Sequence, residues 1–168
     1  MTAPGDRRTR PDAATRRALT GAARFYAVQA LFQMEASGQT IEAVVAEFEH
    51  HRIGAEDPDE TWAEADRSLF RQLVDTAVDR QAQIDQLTDR ALVAKWPIAR
   101  IDPTLRAMFR AAGAELVTGR SPARVIISEF VAITRAFFPE GREGNFVNAV
   151  LDHMARAARP QDFEDPAS

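Results

Sequence analysis

There is no cysteine anywhere in the 168 residues, so neither a disulfide framework nor a thiolate metal site is open to this chain. That absence fits a reducing compartment. No apolar run approaches the ~20 residues that a membrane span needs, so the cytoplasm is the expected location and no membrane partner is expected. The arginine-rich N-terminus lacks a following apolar segment and does not read as a secretory signal. Histidine is scarce: His50 and His51 are adjacent and cannot share a helix face, and His153 has no Glu or Cys at ligand spacing. Neither a Gly-x-Gly-x-x-Gly nor a Gly-x-x-x-x-Gly-Lys-Ser/Thr phosphate loop is present. With no nucleophile, base or metal cluster in view, the expectation is a protein that is not an enzyme, with no catalytic residue, cofactor or metal. Alternation with period two, long internal repeats and low-complexity blocks are missing too, which leaves no signal for a sheet or a solenoid.

What is present is a globular balance, 45% hydrophobic and 27% charged, in a length that fits one domain with a real core. The net charge of −4 hides a strong polarity. Residues 1–24 carry Arg7, Arg8, Arg10, Arg16, Arg17 and Arg24 against Asp6 and Asp12, a balance of +4 that leaves −8 for the remainder. Residues 41–70 hold nine acids against Arg52 and Arg67. Such a chain can attract phosphate at one end and a basic protein elsewhere; a solvated acidic face with a basic tail is the plainer account.

Residues 1–12, with Pro4, Gly5 and Pro11, read as a flexible basic arm. From Ala13 to Ala36, Ala23, Ala27, Ala30, Leu31 and Met34 recur at three- and four-residue spacing, and Phe25, Tyr26, Val28 and Phe32 widen the stripe. Gly21 is a potential bend, at a cost of about 1 kcal/mol against alanine. Ser37-Gly38 ends the helix. Thr40 caps a second helix running to His50, and Arg52 to Glu60 is a polar loop. A third helix is expected from Glu60, carrying Trp62, Leu69, Phe70, Leu73, Val74, Ala77 and Val78. After a break near Asp79, Gln81 to Leu92 continues helically, and Trp96-Pro97 interrupts. Asp102-Pro103 opens the next helix with a capping carboxylate and a proline in its first position. Its stripe is Leu105, Met108, Phe109, Ala112 and Leu116, and Ala112-Gly113-Ala114 suits a close helix–helix approach. Ser121-Pro122 repeats the cap-and-proline device before a helix with Ile126, Ile127, Phe130, Val131 and Phe137 inward. Phe138 to Gly141 turns into the last helix, and 159–168 reads as an acidic disordered tail. The predicted fold is an all-α compact bundle of six to seven helices.

That last helix, Glu143 to Asp152, puts Phe146, Val150 and Met154 on one face with Val147 and Leu151 beside them. Asn148 inside this run has no local reason to be there. Either it ties a core helix to a neighbour through one amide, or the first turn faces a ligand and offers Phe146 for stacking.

Phe-Val-Asn-Ala-Val-Leu-Asp at 146–152 resembles the Phe-Val-Asn-Gly-Val-Leu-Asp signature of the NusB family of transcription antitermination factors. Ala-Val-Gln-Ala-Leu at 27–31, following Arg24, and Val-Ile-Ile-Ser-Glu at 125–129 match in the family's order. Ser128 stands where the family has Asn, and Ala149 where it has Gly. The resemblance runs from about Arg16 to Arg156.

It implies two packed helical subdomains, about 13–79 and 80–158, meeting near Asp79–Gln81. It also implies binding of boxA-type single-stranded RNA from nascent ribosomal RNA transcripts, jointly with the ribosomal protein NusE. The RNA would thereby be tethered to the RNA polymerase elongation complex with other Nus factors. By position, Arg24 matches a family arginine, and Arg16 and Arg17 lie a turn or two upstream of the family's cluster. Phe146 matches the ring that stacks on a base, Asn148 the signature amide, and Gln29 and Phe32 the family's glutamine and aromatic. Phe32 lacks the hydroxyl of the usual tyrosine. Glu143 and Asn145 stand where the family has serine or lysine, which removes positive charge near the RNA path and puts weight on the protein partner. The family includes monomers and homodimers. Two rivals are a NusB-like domain related to the ribosomal RNA cytosine methyltransferases, which continue into a cofactor-binding domain, and a scaffold that binds only protein.

Overall fold

The computed structural model describes residues 11–57, 60–92 and 97–164, so Arg7, Arg8, Arg10 and Trp96 lie outside the described residues. Among the described residues seven α-helices follow one another: α1 (Ala13–Ser37), α2 (Ile41–His51), α3 (Arg67–Asp79), α4 (Gln81–Ala91), α5 (Pro103–Thr118), α6 (Ala123–Phe137) and α7 (Glu143–Ala158). The all-α expectation holds. Among the described residues no helix is long and apolar enough to cross a membrane.

Local chemistry sets the ends. Asp12 belongs to α1 rather than to a free arm, because its carboxylate accepts from the Thr15 amide at 2.7 Å. That bond holds the Asp12 carboxyl below its ordinary value. Gly38 closes α1 in the left-handed region, φ 70°, and its N–H reaches the Met34 carbonyl. Thr40 caps α2 and Asp102 caps α5, with Pro103 in the first turn. Arg80 alone separates α3 from α4.

Three expectations change. The third helix begins at Arg67, not Glu60: Asp66 accepts from the Leu69 amide at 3.0 Å and so fixes the start. Upstream, Glu60–Thr61 pairs antiparallel with Glu56–Asp57 in a two-residue ladder, and Trp62 packs near Tyr26. Ser121 does not cap α6; the Ala123 amide instead donates at 3.0 Å to Asp162, 39 residues further along the chain. The tail from Arg159 to Glu164 is docked rather than disordered. Pro160–Phe163 forms a 3-10 turn, while 165–168 lie outside the described residues. Arg159 anchors it by donating to the carbonyls of Glu115, Leu116, Gly119 and Ser121 at 2.6–2.8 Å. These include the end of α5, where carbonyls lack intrahelical partners and a cation is favoured.

The helix at the centre is α5. It touches α1, α3, α4, α6 and α7, and it is buried at Leu105, Ala107, Met108 and Phe109 and at every position from Ala111 to Leu116. Its alanines and Gly113 let neighbours approach on all sides. A Cβ on Gly113 would strike Ile84 of α4 and lie 3.4 Å from Met154 of α7, so the small patch is where three helices meet. Around α1 to α3 the core is aromatic: Phe48 and Phe70 stack at 5.7 Å, and Tyr26 meets Phe48 edge-on while donating to the Ala63 carbonyl.

Candidate nucleic-acid interface

Along α1 the arginines separate into two kinds. Arg16 and Arg17, in the first turns, are exposed. Arg24, two turns later, is 3% exposed. Its Nε and Nη2 donate to both carboxylate oxygens of Glu115 at 2.8 and 2.7 Å, and Glu129 lies 3.8 Å away. Burial opposes the charge, but the paired bonds and charge of Glu115 hold the guanidinium above its ordinary value. The resemblance assigns Arg24 to RNA; in this structure it is a buried strut between α1 and α5, with its Nε and Nη2 committed to Glu115.

Further along α1, Gln29 and Phe32 share a cleft of about 260 Å³ with Val28, Arg52, Thr104 and Phe137. Phe32 is 40% exposed. The Gln29 Oε1 is buried without a hydrogen-bond partner among the described residues. Arg52 is held at the edge by a cation–π interaction with Phe48, 4.4 Å from the ring centroid, and donates to Gln33.

Phe146 opens the second turn of α7. It is 36% exposed, and its inner edge meets Phe109 of α5 at 6.0 Å and 74°. The contact with Phe109 steadies the ring while part of it stays open to solvent, as a stacking surface requires. Of the two roles open to Asn148, the structure excludes the core amide, because Asn148 is exposed. It lines a groove of about 520 Å³ between α6 and α7 with Arg124, Ser128, Arg135, Asn145, Asp152, Arg156 and Phe163.

The predicted residues therefore fall in five places: the exposed start of α1, the buried Arg24–Glu115 pair, the α1 cleft, the Phe146 ring, and the α6–α7 groove. Sequence reasoning does not find Arg124, Arg135 and Arg156. Their helical spacing is visible, since Arg124, Ser128 and Arg135 stand four and seven apart and Asn145, Asn148, Asp152 and Arg156 three, four and four apart. Glu143 does not line the groove: its carboxylate is folded back against Gly141, while Asn145 sits among the arginines. No group of three or more His, Cys, Asp or Glu among the described residues is placed to hold a metal ion.

Known proteins resemble this chain in sequence and in fold. Residues 21–156 match the model of the NusB family. The transcription antitermination protein NusB of Maricaulis maris is 46% identical over 146 residues, covering 86% of this chain and 91% of that protein. That of Agrobacterium fabrum is 46% identical over 140 residues, covering 83% and 84%. Among solved structures, T. maritima NusB superposes with a TM-score of 0.69 at 26% identity, covering 86% of this chain and 96% of that one. A crystal structure of the antitermination factors NusB and NusE in complex with double-stranded RNA matches with a TM-score of 0.61 at 25% identity, covering 82% and 96%.

Proposed function

The chain belongs to the NusB family, and on that premise we propose that it is a transcription antitermination factor that binds boxA-type single-stranded RNA together with NusE. It is not an enzyme. Its work is to hold nascent ribosomal RNA operon transcript against the elongating RNA polymerase and its Nus factors, so that the tethered complex resists termination.

The observation that carries this is Phe146: a phenylalanine of the family signature, braced on Phe109, with more than a third of its surface outside. Leaving such a ring exposed has a cost in water that a stacked base would recover, at about 1–3 kcal/mol per base. The α1 cleft adds a second aromatic, Phe32, with Gln29 beside it. Arg16 and Arg17 contribute phosphate contacts at the start of α1. The acidic bias of the remaining chain suits a basic ribosomal protein as the second partner.

The test is binding of labelled boxA RNA, with and without NusE, across a salt titration. NusE should tighten binding, and Kd should rise log-linearly with salt. Phe146→Ala should weaken binding by about 1–3 kcal/mol, roughly five- to more than hundred-fold. Arg16→Ala/Arg17→Ala should chiefly flatten the salt dependence. Absence of RNA binding even with NusE present would remove the proposal.

A further inference from the structure

The groove between α6 and α7 is a basic spot on an acidic chain. It is lined by Arg124, Arg135 and Arg156 against a single acid, Asp152. The arginines are positioned, not splayed. Arg156 is held by Asp152 at 2.9 Å and lies over the Phe163 ring, 4.4 Å from its centroid; Arg124 stands 5.9 Å from the same ring. Arg135 lies across the first turn of α7, where a Cβ on Gly144 would come within 3.0 Å of its Nε and Cγ. Among the described residues neither Arg124 nor Arg135 is ion-paired. Asp162 of the docked tail does not line the groove and is held by the Ala123 amide and Arg159. Two like charges sharing one ring, with a third along the wall, repel each other until an anion enters between them.

We propose that this groove is a second RNA subsite, one that tracks the phosphates of the strand whose base stacks on Phe146. The inference rests on the RNA reading above and extends it to residues that reading does not use. Continuity with the stacking ring selects RNA over an acidic peptide. Asn145 immediately precedes Phe146 and faces the groove, and Arg135 crosses the turn that carries both. Arg124 and Arg135 are eleven residues apart, roughly 16 Å along α6 at about 1.5 Å per residue, a length covered by a few nucleotides of extended strand. Asn145, Asn148 and Ser128 supply the neutral donors and acceptors that bases and ribose hydroxyls use.

The experiment compares a short boxA oligonucleotide with one extended by several nucleotides at either end, both with NusE. The full chain is compared with its Arg124→Gln/Arg135→Gln/Arg156→Gln variant and with Arg80→Gln, an exposed arginine outside the groove. For the wild type, the extended RNA should bind tighter than the short one. In the triple variant that gain should vanish, a drop of roughly ten-fold, and the slope of log K against log salt should shrink by about 2, near 0.7 for each phosphate no longer neutralised. Arg80→Gln should behave as wild type, and equal melting curves would exclude misfolding. Arg135→Lys should retain the salt slope and lose part of the affinity. If the triple variant gains from extension as the wild type does, with an unchanged slope, the groove does not hold RNA and the proposal is overturned while the RNA reading stands. A wild type that binds neither oligonucleotide overturns both.

Discussion

Replacing Arg24 by methionine separates the two roles that an arginine at this position can have. Arg24 is 3% exposed and its partner Glu115 2% exposed, and their two hydrogen bonds are 2.8 and 2.7 Å long. Methionine keeps much of the aliphatic volume but leaves the Glu115 carboxylate buried without its paired cation. Breaking a buried pair from one side costs about 3–5 kcal/mol, because the remaining charge is uncompensated. Against a total of about 5–15 kcal/mol for a domain, that is a large fraction. For a chain of this length it lowers the melting temperature by roughly 6–20 °C. Urea denaturation followed by far-ultraviolet circular dichroism should show the midpoint moving with the m-value unchanged. Adding Glu115→Gln should return at least half of the stability, since the neutral amide removes the stranded charge. RNA affinity of Arg24→Met, measured well below its melting temperature, should equal that of the wild type. A variant as stable as the wild type that no longer binds RNA would refute this account, since the guanidinium would then have to face the ligand.

Gly113→Ala should destabilise by about 1–3 kcal/mol in thermal melts, since the added methyl strikes Ile84 where α4, α5 and α7 meet; a neutral result would mean that the three helices have room to separate. The Glu35 carboxyl is held below its ordinary value of 4.5, first by its hydrogen bond from Arg106 and then by the charges of Arg106 and Arg110, against some burial. A depressed folded-state value means stability that is present at neutral pH and is lost as pH falls below 4.5. Glu35→Gln should therefore lower stability at neutral pH and flatten its decline in acid, as read by urea midpoints across pH. Asp162→Ala should fray the start of α6 and release the docked tail, at about 1 kcal/mol for the missing cap; hydrogen exchange at the first turn of α6 checks it.

How much of this can be read from the sequence depends on the range of the interaction. Thr40, Asp102-Pro103 and Ser37-Gly38 mark helix ends through atoms only a few residues away, and the structure agrees with each. Phe146 is legible because its neighbours in the signature are its neighbours on the helix. The failures come from partners far along the chain. An arginine after a basic arm looks the same whether it faces solvent or Glu115, which is 91 residues distant. Ser121-Pro122 carries a sound local cap signal, yet Asp162 takes the amide from across the fold. Acids at 60–66 read as a helix start because acids favour first turns, while pairing with Glu56–Asp57 and the Asp66 cap delay it to Arg67.

The central position of α5 is hidden for a different reason. Its large residues form one stripe, the signature of a helix buried on one side, and the opposite side is alanine. Small side chains carry little hydrophobic signal, but they are what permits α1, α3, α4, α6 and α7 to close around it. The same geometry makes the candidate interface. With α5 filling the interior, α6 and α7 are left side by side on the surface, and only then do Arg124 and Arg135 of one helix face Asn145, Asn148 and Arg156 of the other. Neither helix alone is basic enough to suggest a nucleic-acid site; the tail that reads as disordered places Phe163 between two of the arginines and completes the wall. The site is thus a property of packing around a small-residue helix, and it should be disturbed by mutations such as Gly113→Ala that never touch it.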